Sequence, residues 1–191
     1  MNNLNVFSKL KFILEKPKII ILSGENRQIM KDALFRVLKN YSQNKGKILI
    51  LETDVLEPKD SNFLIKNSSL PILVITDNKQ GILEKSQTIS KTLPERGFMV
   101  LNFDDEEIKG LKKETAAHLL TFGFQSGAEV LASDMKENGH INFKINYKGN
   151  IVPIWLKEPY NKEQIYSVLG AVSIGTILNL NLVEISQALA S

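Results

Sequence analysis

The sequence predicts an α/β protein: a mostly parallel sheet flanked by helices, with an antiparallel strand set in the C-terminal half. Short apolar runs alternate with amphipathic helical stretches between residues 17 and 117, and this order is typical of a parallel sheet with helices on both faces. Strand patterns then succeed one another over residues 118–158 without room for helices between them, and residues 159–191 have helical patterns. The length of 191 residues favours a single domain.

Residues 1–16 are predicted to form an amphipathic helix. Leu4, Phe7, Leu10 and Leu14 recur near helical spacing, and lysines lie around them. We expect this helix to pack on its own domain, while a membrane-surface or partner-binding helix is the alternative.

The parallel part is predicted to contain four strands, each an apolar run bounded by turn residues, at residues 18–23, 47–51, 72–76 and 98–102. The helices between and after them are predicted at residues 29–41, 60–66, 82–93 and 104–113. Gly24 ends the first strand, so the first unit is a strand, a tight turn and a helix.

Strands at residues 119–124, 129–135, 141–147 and 151–156 are predicted to be antiparallel, with hairpin turns around Gly139 and at Lys148-Gly149-Asn150. Phe143 and Trp155 are expected in the core. A long helix is predicted at residues 161–179, followed by a short helix with Asn181 and Glu184 as a capping box. Residues 164–183 carry no charge, but polar side chains are spread along them, so we expect a buried core helix and not a membrane span.

Composition excludes several classes of function. The formal charge of +3 is too small to predict nucleic-acid binding, although the pI near 8.9 leaves a basic binding module as a weak alternative. The chain has no cysteine, which excludes disulfides and thiolate sites, and neither His118 nor His140 has sequence neighbours that suggest a catalytic triad. The N-terminus lacks the features of a secretory signal, so we expect a cytoplasmic protein.

The turn after the first strand is where α/β proteins bind phosphate, because backbone N–H groups and the helix dipole point at the anion. A phosphate-binding loop also needs glycines, a lysine and a Ser or Thr hydroxyl. Arg27 and Lys31 supply positive charge that could bind an anion, but we expect a solvated first turn because Glu25 lies beside them. The turn has the sequence Ser23-Gly24-Glu25-Asn26-Arg27-Gln28-Ile29-Met30-Lys31.

This turn and several later segments resemble the central ATP-binding domain of the Mur ligases of peptidoglycan precursor synthesis. Ser23, Gly24 and Asn26 match T-G-T-N-G-K-T-T in order, and Lys31 with residues 32–38 matches the family's helix after this motif. Residues 51–54 resemble the family's strand that ends in a metal-binding glutamate. Further collinear matches to V-I-T-N-I, L-N-A-D-D, I-T-F-G and N-A-L-A-A-I-A-V-G lie at residues 74–78, 101–105, 120–123 and 166–175. The resemblance implies a P-loop-like fold.

The departures from the family fall at positions that the resemblance assigns to catalysis. Arg27, Gln28 and Ile29 stand where the family has its second glycine, its lysine and its Mg²⁺-binding hydroxyl. Residues 79–84 lack the histidine of G-P-A-H-L-E. The carbamylated lysine falls at Ser86, beside Lys85, and the H-N pair falls at residues 163–164. The N-terminal and C-terminal domains of the family are expected to be missing.

The resemblance therefore implies a vestigial nucleotide site at Ser23, Gly24, Asn26 and Lys31, with no catalytic residue. Glu52 matches the family's metal-binding glutamate and is the candidate metal ligand. The acidic run at residues 104–107 suggests metal or acid–base chemistry, but we expect it to stabilise a helix dipole.

Mur ligases use ATP and Mg²⁺ to phosphorylate a carboxylate that an amine then attacks, which requires cationic stabilisation of the phosphoryl group. We therefore predict a stand-alone, non-catalytic central domain without a cofactor. Its role would be interaction or regulation linked to peptidoglycan precursor synthesis, with a protein partner such as a cell-wall enzyme. The alternative is an ATP-dependent acid–amino acid ligase, or a nucleotide-binding subunit, that another polypeptide completes, using ATP, Mg²⁺, Lys31, Lys85 and Glu52.

Overall fold

The computed structural model describes residues 6–39, 41, 46–77, 82–137, 141–157 and 159–190, which are built around an eight-stranded sheet. The strands are β1 (Lys18–Ser23), β2 (Ile48–Glu52), β3 (Leu70–Ile75), β4 (Phe98–Asn102), β5 (His118–Gly123), β6 (Val130–Glu137), β7 (Ile141–Tyr147) and β8 (Asn150–Leu156). The helices are α1 (Val6–Glu15), α2 (Arg27–Leu38), α3 (Pro58–Asn67), α4 (Ile82–Ser90), α5 (Glu106–Gly110), α6 (Lys162–Ile177) and α7 (Leu182–Ala190).

The spatial order of the strands is β2-β1-β3-β4-β5-β6-β7-β8. Neighbours from β2 to β6 are parallel, and the pairs β6–β7 and β7–β8 are antiparallel. The predicted fold class, a mostly parallel sheet with antiparallel strands in the C-terminal half, is confirmed.

The assignment of β5 to the antiparallel set is wrong. β5 pairs in parallel with β4 over five residue pairs, because α5 and a short 3-10 turn (Leu111–Glu114) provide the crossover that a parallel connection requires. It also pairs in parallel with β6, through Phe122 with Val130 and Gly123 with Leu131. The antiparallel set therefore begins at β6, and the hairpin between β6 and β7 that was predicted around Gly139 lies outside the described residues.

The inner parallel strands β1, β3 and β4 are buried on both faces, whereas the edge strand β2 is partly exposed. Ile20 and Leu22 of β1 face the layer of α2, α6 and α7, whereas Ile19 and Ile21 face the layer of α1, α3, α4 and α5. All four side chains are fully buried. The continuous apolar runs in the sequence result from this, since each such strand must cover two helix layers.

The antiparallel strands are buried on one face only. Val152, Ile154 and Leu156 of β8 join the core under α6 and α7, and the residues between them face outward. Phe143 is in the core as predicted, but Trp155 is 55% exposed, so its predicted core position is wrong. The predicted turn is confirmed: Lys148 and Gly149 adopt positive φ between β7 and β8.

Helix α1 is amphipathic, but it does not pack on the domain by the face that the spacing predicted. Phe12 is buried, and its ring lies 5.9 Å from that of Phe63 in α3. The predicted apolar face points the other way: Phe7, Leu10 and Leu14 are exposed. Leu4 lies outside the described residues.

Helix α6 has apolar side chains on every face because α2, α7 and the sheet surround it. This position explains why residues 164–177 of the helix carry no charge, as in a membrane span. Across the part of the chain that the structure describes, no helix combines the length and apolar character needed to cross a bilayer.

The reciprocal capping box is at α6 and not at α7, where it was predicted. Asn161 Oδ1 accepts from the backbone N–H of Gln164 at 2.9 Å, and Gln164 Oε1 accepts from that of Asn161 at 2.8 Å. Asn181 does accept a bond at the start of α7, from Val183 N at 2.8 Å.

We expect Asn161→Ala to lower the free energy of unfolding by about 1 kcal/mol, because the N-terminus of α6 loses its side-chain cap. Urea unfolding followed by circular dichroism measures the change. Asn62→Ala, at an exposed position inside α3, is the matched control and should change stability by less than about 0.5 kcal/mol. Equal effects of the two substitutions would contradict a capping role.

Candidate functional site

The turn between β1 and α2 lies at the carboxyl edge of the parallel sheet, beside the end of β3. Gly24 adopts φ +137°, and a Cβ there would overlap Thr76 Oγ1 and lie 2.8 Å from Asp77 Oδ2. Thr76 N donates to Ser23 O at 3.1 Å, which fixes the two strand ends together. The backbone therefore retains the tight strand–turn–helix form of a phosphate site.

A carboxylate of the same chain accepts from the first backbone N–H after Gly24. The backbone N–H of Glu25 lies 3.1 Å from Asp77 Oδ1 and 3.0 Å from Asp77 Oδ2. Thr76 Oγ1 donates to Asp77 Oδ2 at 3.0 Å, which orients that carboxylate. A turn amide that would face a phosphate thus already has an anionic partner from the same chain.

Arg27 and Lys31 are paired with carboxylates, so the predicted solvated first turn is wrong for Arg27. The side chain of Arg27 is 18% exposed, and its guanidinium donates to Gly24 O and to Asp54 Oδ2. Arg27 Nε lies 3.6 Å from Glu52 Oε2, which is an ion-pair distance but too long for a hydrogen bond, and this nitrogen is buried. Lys31 Nζ donates to Glu52 Oε1 at 3.0 Å.

Glu52, the candidate metal ligand, therefore has a cation at each oxygen. The two ion pairs lie at the end of β2, where a metal would need the same carboxylate oxygens. Within the described ranges, no group of three acidic or histidine side chains is arranged to hold a metal ion.

The remaining turn residues also lack contacts suited to a nucleotide. Ser23 Oγ is buried and lies 2.6 Å from Ser86 Oγ in α4. Asn26 precedes α2, but its side chain does not cap the helix. Gln28 Nε2 donates to Asp32 Oδ1 at 2.9 Å, and Ile29 packs against the core.

The charge balance of the turn opposes a triphosphate. Mg²⁺ usually needs substrate phosphates as co-ligands, and phosphates need cations or free backbone N–H groups. Here five carboxylates outnumber two cations among the turn and its contacts: Glu25, Asp32, Glu52, Asp54 and Asp77 against Arg27 and Lys31. The residues present do not fit ATP and Mg²⁺.

An acidic cavity of about 450 Å³ adjoins the turn at the ends of β3 and β4. Six carboxylates line it together with Thr76, Asn102 and Tyr166: Asp77, Asp104, Asp105, Glu106, Glu107 and Glu163. Glu163 falls in the segment that matches the family's nucleotide-binding H-N pair, so a carboxylate now stands there. The negative charge of the cavity adds to the repulsion of a polyphosphate.

Within the acidic run, only part of the expected helix-dipole role is confirmed. Asp105 caps α5 by accepting from Glu107 N and Ile108 N, at 3.0 and 3.2 Å. Asp104 has a different task, because it accepts from Phe124 N, Gln125 N and Tyr166 Oη at 2.8, 2.9 and 2.8 Å. It ties the loop after β5 to α6.

The hydrogen bond between Tyr166 and Asp104 can be tested by its dependence on pH. Burial and then the hydrogen bond to Asp104 raise the pKa of the Tyr166 hydroxyl above its usual range. A raised pKa in the folded state stabilises the protein below the unfolded pKa of about 10, and this contribution is lost as the pH rises further. We expect the stability difference between wild type and Tyr166→Phe to be constant up to about pH 9 and to shrink above about pH 10. Urea unfolding measures this difference in stability. A difference that stays constant up to about pH 11, one unit above the usual tyrosine pKa, would contradict the expectation.

The structure also separates Lys85 from the turn. Ser86 faces Ser23, whereas Lys85 is exposed and lines a cavity of about 240 Å³ with Thr53 and Glu84, on another side of α4. His118 is likewise outside the site, with its ring centroid 5.3 Å from that of Phe98. His140 lies outside the described residues.

Sequence reasoning missed Asp77 and Asp54. Asp54 follows β2 and Asp77 follows β3, the two strands that flank β1. Because the carboxyl ends of parallel strands meet at one edge of a sheet, their position was a usable signal. Asp77 also stands where the family segment V-I-T-N-I has asparagine. That substitution introduces the negative charge that faces the Glu25 amide.

The chain is similar in sequence to Mur ligases over most of its length. It is 27% identical over 159 residues to UDP-N-acetylmuramate–L-alanine ligase of Persephonella marina, covering 78% of this chain and 33% of that one. It is 24% identical over 182 residues to the enzyme of the same name from Aquifex aeolicus, covering 90% of this chain and 39% of that one. The chain thus spans about a third of the length of these relatives. No protein-family model matches it.

Solved Mur ligases share the fold. MurF from Acinetobacter baumannii superposes with a TM-score of 0.76 at 13% identity, covering 96% of this chain and 48% of that one. MurF ligase from Thermotoga maritima, solved in complex with ADP, superposes with a TM-score of 0.72 at 16% identity, covering 93% of this chain and 50% of that one. A pseudomurein peptide ligase type C from Methanothermus fervidus superposes with a TM-score of 0.70 at 17% identity, covering 97% of this chain and 51% of that one.

Sheet order, helix layers and the strand–turn–helix at the sheet edge define an α/β domain of the P-loop-like class. The chain is similar in sequence to the Mur ligases and has the fold of their central domain. The sequence motifs had favoured UDP-N-acetylmuramoyl-tripeptide:D-alanyl-D-alanine ligase as the closest member. This is supported only in part, since MurF is among the structural neighbours while these sequence relatives carry the L-alanine ligase name.

Proposed function

We propose that this protein is a non-catalytic homologue of the Mur ligase central domain that acts by binding or regulation in peptidoglycan precursor synthesis. The observation that carries the proposal is the contact of Asp77 with the amide of Glu25, which places a carboxylate where the fold would hold a phosphate. The same carboxylate would repel the γ-phosphate of a nucleotide at close range.

The ion pairs of the turn support the same conclusion. Phosphoryl transfer needs a cation that faces the transferring group and a metal that bridges its oxygens. Arg27 instead contacts Gly24 O, Asp54 and Glu52, and Lys31 contacts Glu52. A nucleotide would have to break these pairs before either cation could contact it.

A second candidate function is an ATP-dependent acid–amino acid ligase, or a nucleotide-binding subunit, completed by another polypeptide with ATP and Mg²⁺. One observation favours it: the named relatives are ligases, and this chain matches only about a third of their length. In that case a partner would have to move Asp77 away from the Glu25 amide and release Glu52 from its cations.

Calorimetric titration with ATP and Mg²⁺ distinguishes the two functions. We expect no micromolar binding to the wild-type protein, to Glu52→Ala or to Glu57→Ala, where Glu57 is an exposed carboxylate before α3. Micromolar binding that Glu52→Ala abolishes and Glu57→Ala preserves would overturn the non-catalytic proposal and support the ligase subunit.

The interaction role has its own test. Affinity capture from the native host, with the wild-type chain as bait, is expected to return a specific partner such as a cell-wall enzyme. A capture that repeatedly returns no specific partner would contradict the interaction role but would leave the calorimetric result unchanged.

A further inference from the structure

The outer face of α1 carries large apolar side chains that the described part of the chain leaves uncovered. Phe7, Leu10 and Leu14 are 83%, 54% and 76% exposed. Their spacing of three and four residues places them on one stripe of the helix, and the buried Phe12 lies on the opposite side. A helix that is apolar on two faces usually has both covered, so the outer stripe points to a binding surface.

Helix α3 lies beside α1 in the same layer and presents lysines outward. The rings of Phe12 and Phe63 are 5.9 Å apart, and Lys9 Nζ lies 5.4 Å from the Phe63 centroid. Because Ser61, Leu64 and Ile65 of α3 are buried, Lys59 and Lys66 lie on its exposed side. We call the outer stripe of α1 together with Lys59 and Lys66 the α1–α3 face.

The charge near this face is positive. The two helices contain four lysines and two carboxylates: Lys9, Lys11, Lys59 and Lys66 against Glu15 and Asp60. Glu15 is 2.7 Å from Lys47, a residue outside both helices, and that hydrogen bond lowers the pKa of Glu15. The two helices together therefore carry an excess of two positive charges, four lysines less two carboxylates.

These features fit an anionic lipid surface better than a second copy of the chain. Helix α1 has 10 residues and is about 15 Å long, so its stripe is far smaller than the roughly 800 Å² per partner of a stable protein interface. Two copies would also bring the lysines of one α1–α3 face towards those of the other. An anionic bilayer accepts the apolar side chains and attracts the lysines.

We propose that the α1–α3 face docks the protein peripherally on anionic membranes. Phe7, Leu10 and Leu14 enter the interfacial region, while Lys59 and Lys66 contact lipid phosphates. Because α1 is already folded on the domain, docking does not require a coil to form a helix, which lowers the ordering cost of binding. The proposal does not depend on whether the nucleotide turn is active.

Vesicle flotation with the full chain tests the docking. We expect binding to vesicles of phosphatidylcholine mixed with phosphatidylglycerol, little binding to phosphatidylcholine alone, and weaker binding as salt is added. Phe7→Ser with Leu14→Ser should weaken binding about tenfold or more. Lys59→Gln with Lys66→Gln should weaken it about fivefold for each lysine. The control Phe35→Ser changes a residue of α2 that is 57% exposed on the other side of the sheet, and it should have no effect.

Three outcomes would overturn the proposal: equal binding to neutral and anionic vesicles, absence of flotation with both, or equal losses in Phe35→Ser and the α1 double variant. Light scattering on the same samples identifies the competing occupant. A wild-type dimer that the α1 double variant converts to monomer would show that a second copy covers the face. Circular dichroism should show all variants folded, since the substituted side chains are exposed.

Discussion

Gly24→Ala is expected to lower the free energy of unfolding by about 3 kcal/mol. Two costs combine: the φ of +137° is strained for any residue with a Cβ, and the new methyl would overlap Thr76 Oγ1. Thr76 is 1% exposed and hydrogen-bonded to both Ser23 O and Asp77, so it has little room to move. The turn itself should be displaced along with its contacts.

Gly110→Ala is the matched control. Gly110 ends α5 with φ −58° and ψ −29°, and a Cβ there would meet nothing within 4 Å. Alanine should be neutral or stabilising by up to about 1 kcal/mol at this position. Urea unfolding of both variants measures the difference, and a Gly24→Ala protein as stable as wild type would show that the turn is not held in the geometry described.

Asp104→Ala is expected to cost about 3 kcal/mol. The carboxylate accepts two backbone N–H groups, from Phe124 and Gln125, and the hydroxyl of Tyr166. Hydrogen bonds to a charged group are each worth about 1.5 to 3 kcal/mol, and removal of the acceptor leaves the donors of a partly buried loop without it. The contributions are not additive, which keeps the expected total below their sum.

Asp105→Ala separates this effect from helix capping. Asp105 is the adjacent carboxylate and caps α5, so its loss should cost about 1 kcal/mol. Thermal unfolding of the two variants under one buffer condition gives the comparison. An Asp104→Ala variant no less stable than Asp105→Ala would contradict the role of Asp104 as the link between β5 and α6.

Strands and helices with a clear apolar period could be predicted from sequence. β1 and β4 have the predicted bounds, because each is a short apolar run between breakers. β5 was misassigned, since its parallel pairing depends on the crossover before it and not on the hairpin after it. Trp155 was misplaced because residues 151–156 are almost wholly apolar, which hides the alternation that sends Val152 inward and Trp155 outward.

The site was predictable in position but not in its contacts. Gly24 and the strand–helix order located the turn, and the absence of a lysine at Gln28 indicated that a phosphate partner was missing. Asp77 comes from the end of β3, and its approach to the Glu25 amide depends on the register between β1 and β3. Residue types alone do not specify such a long-range contact.

Crystals grown with ATP and Mg²⁺ test the central claim most directly. We expect the guanidinium of Arg27 to remain on Gly24 O and Asp54, and the carboxylate of Asp77 to remain on the amide of Glu25, with no nucleotide density between them. An ordered triphosphate on that amide, with Mg²⁺ on Glu52 and Arg27 displaced, would contradict a non-catalytic turn.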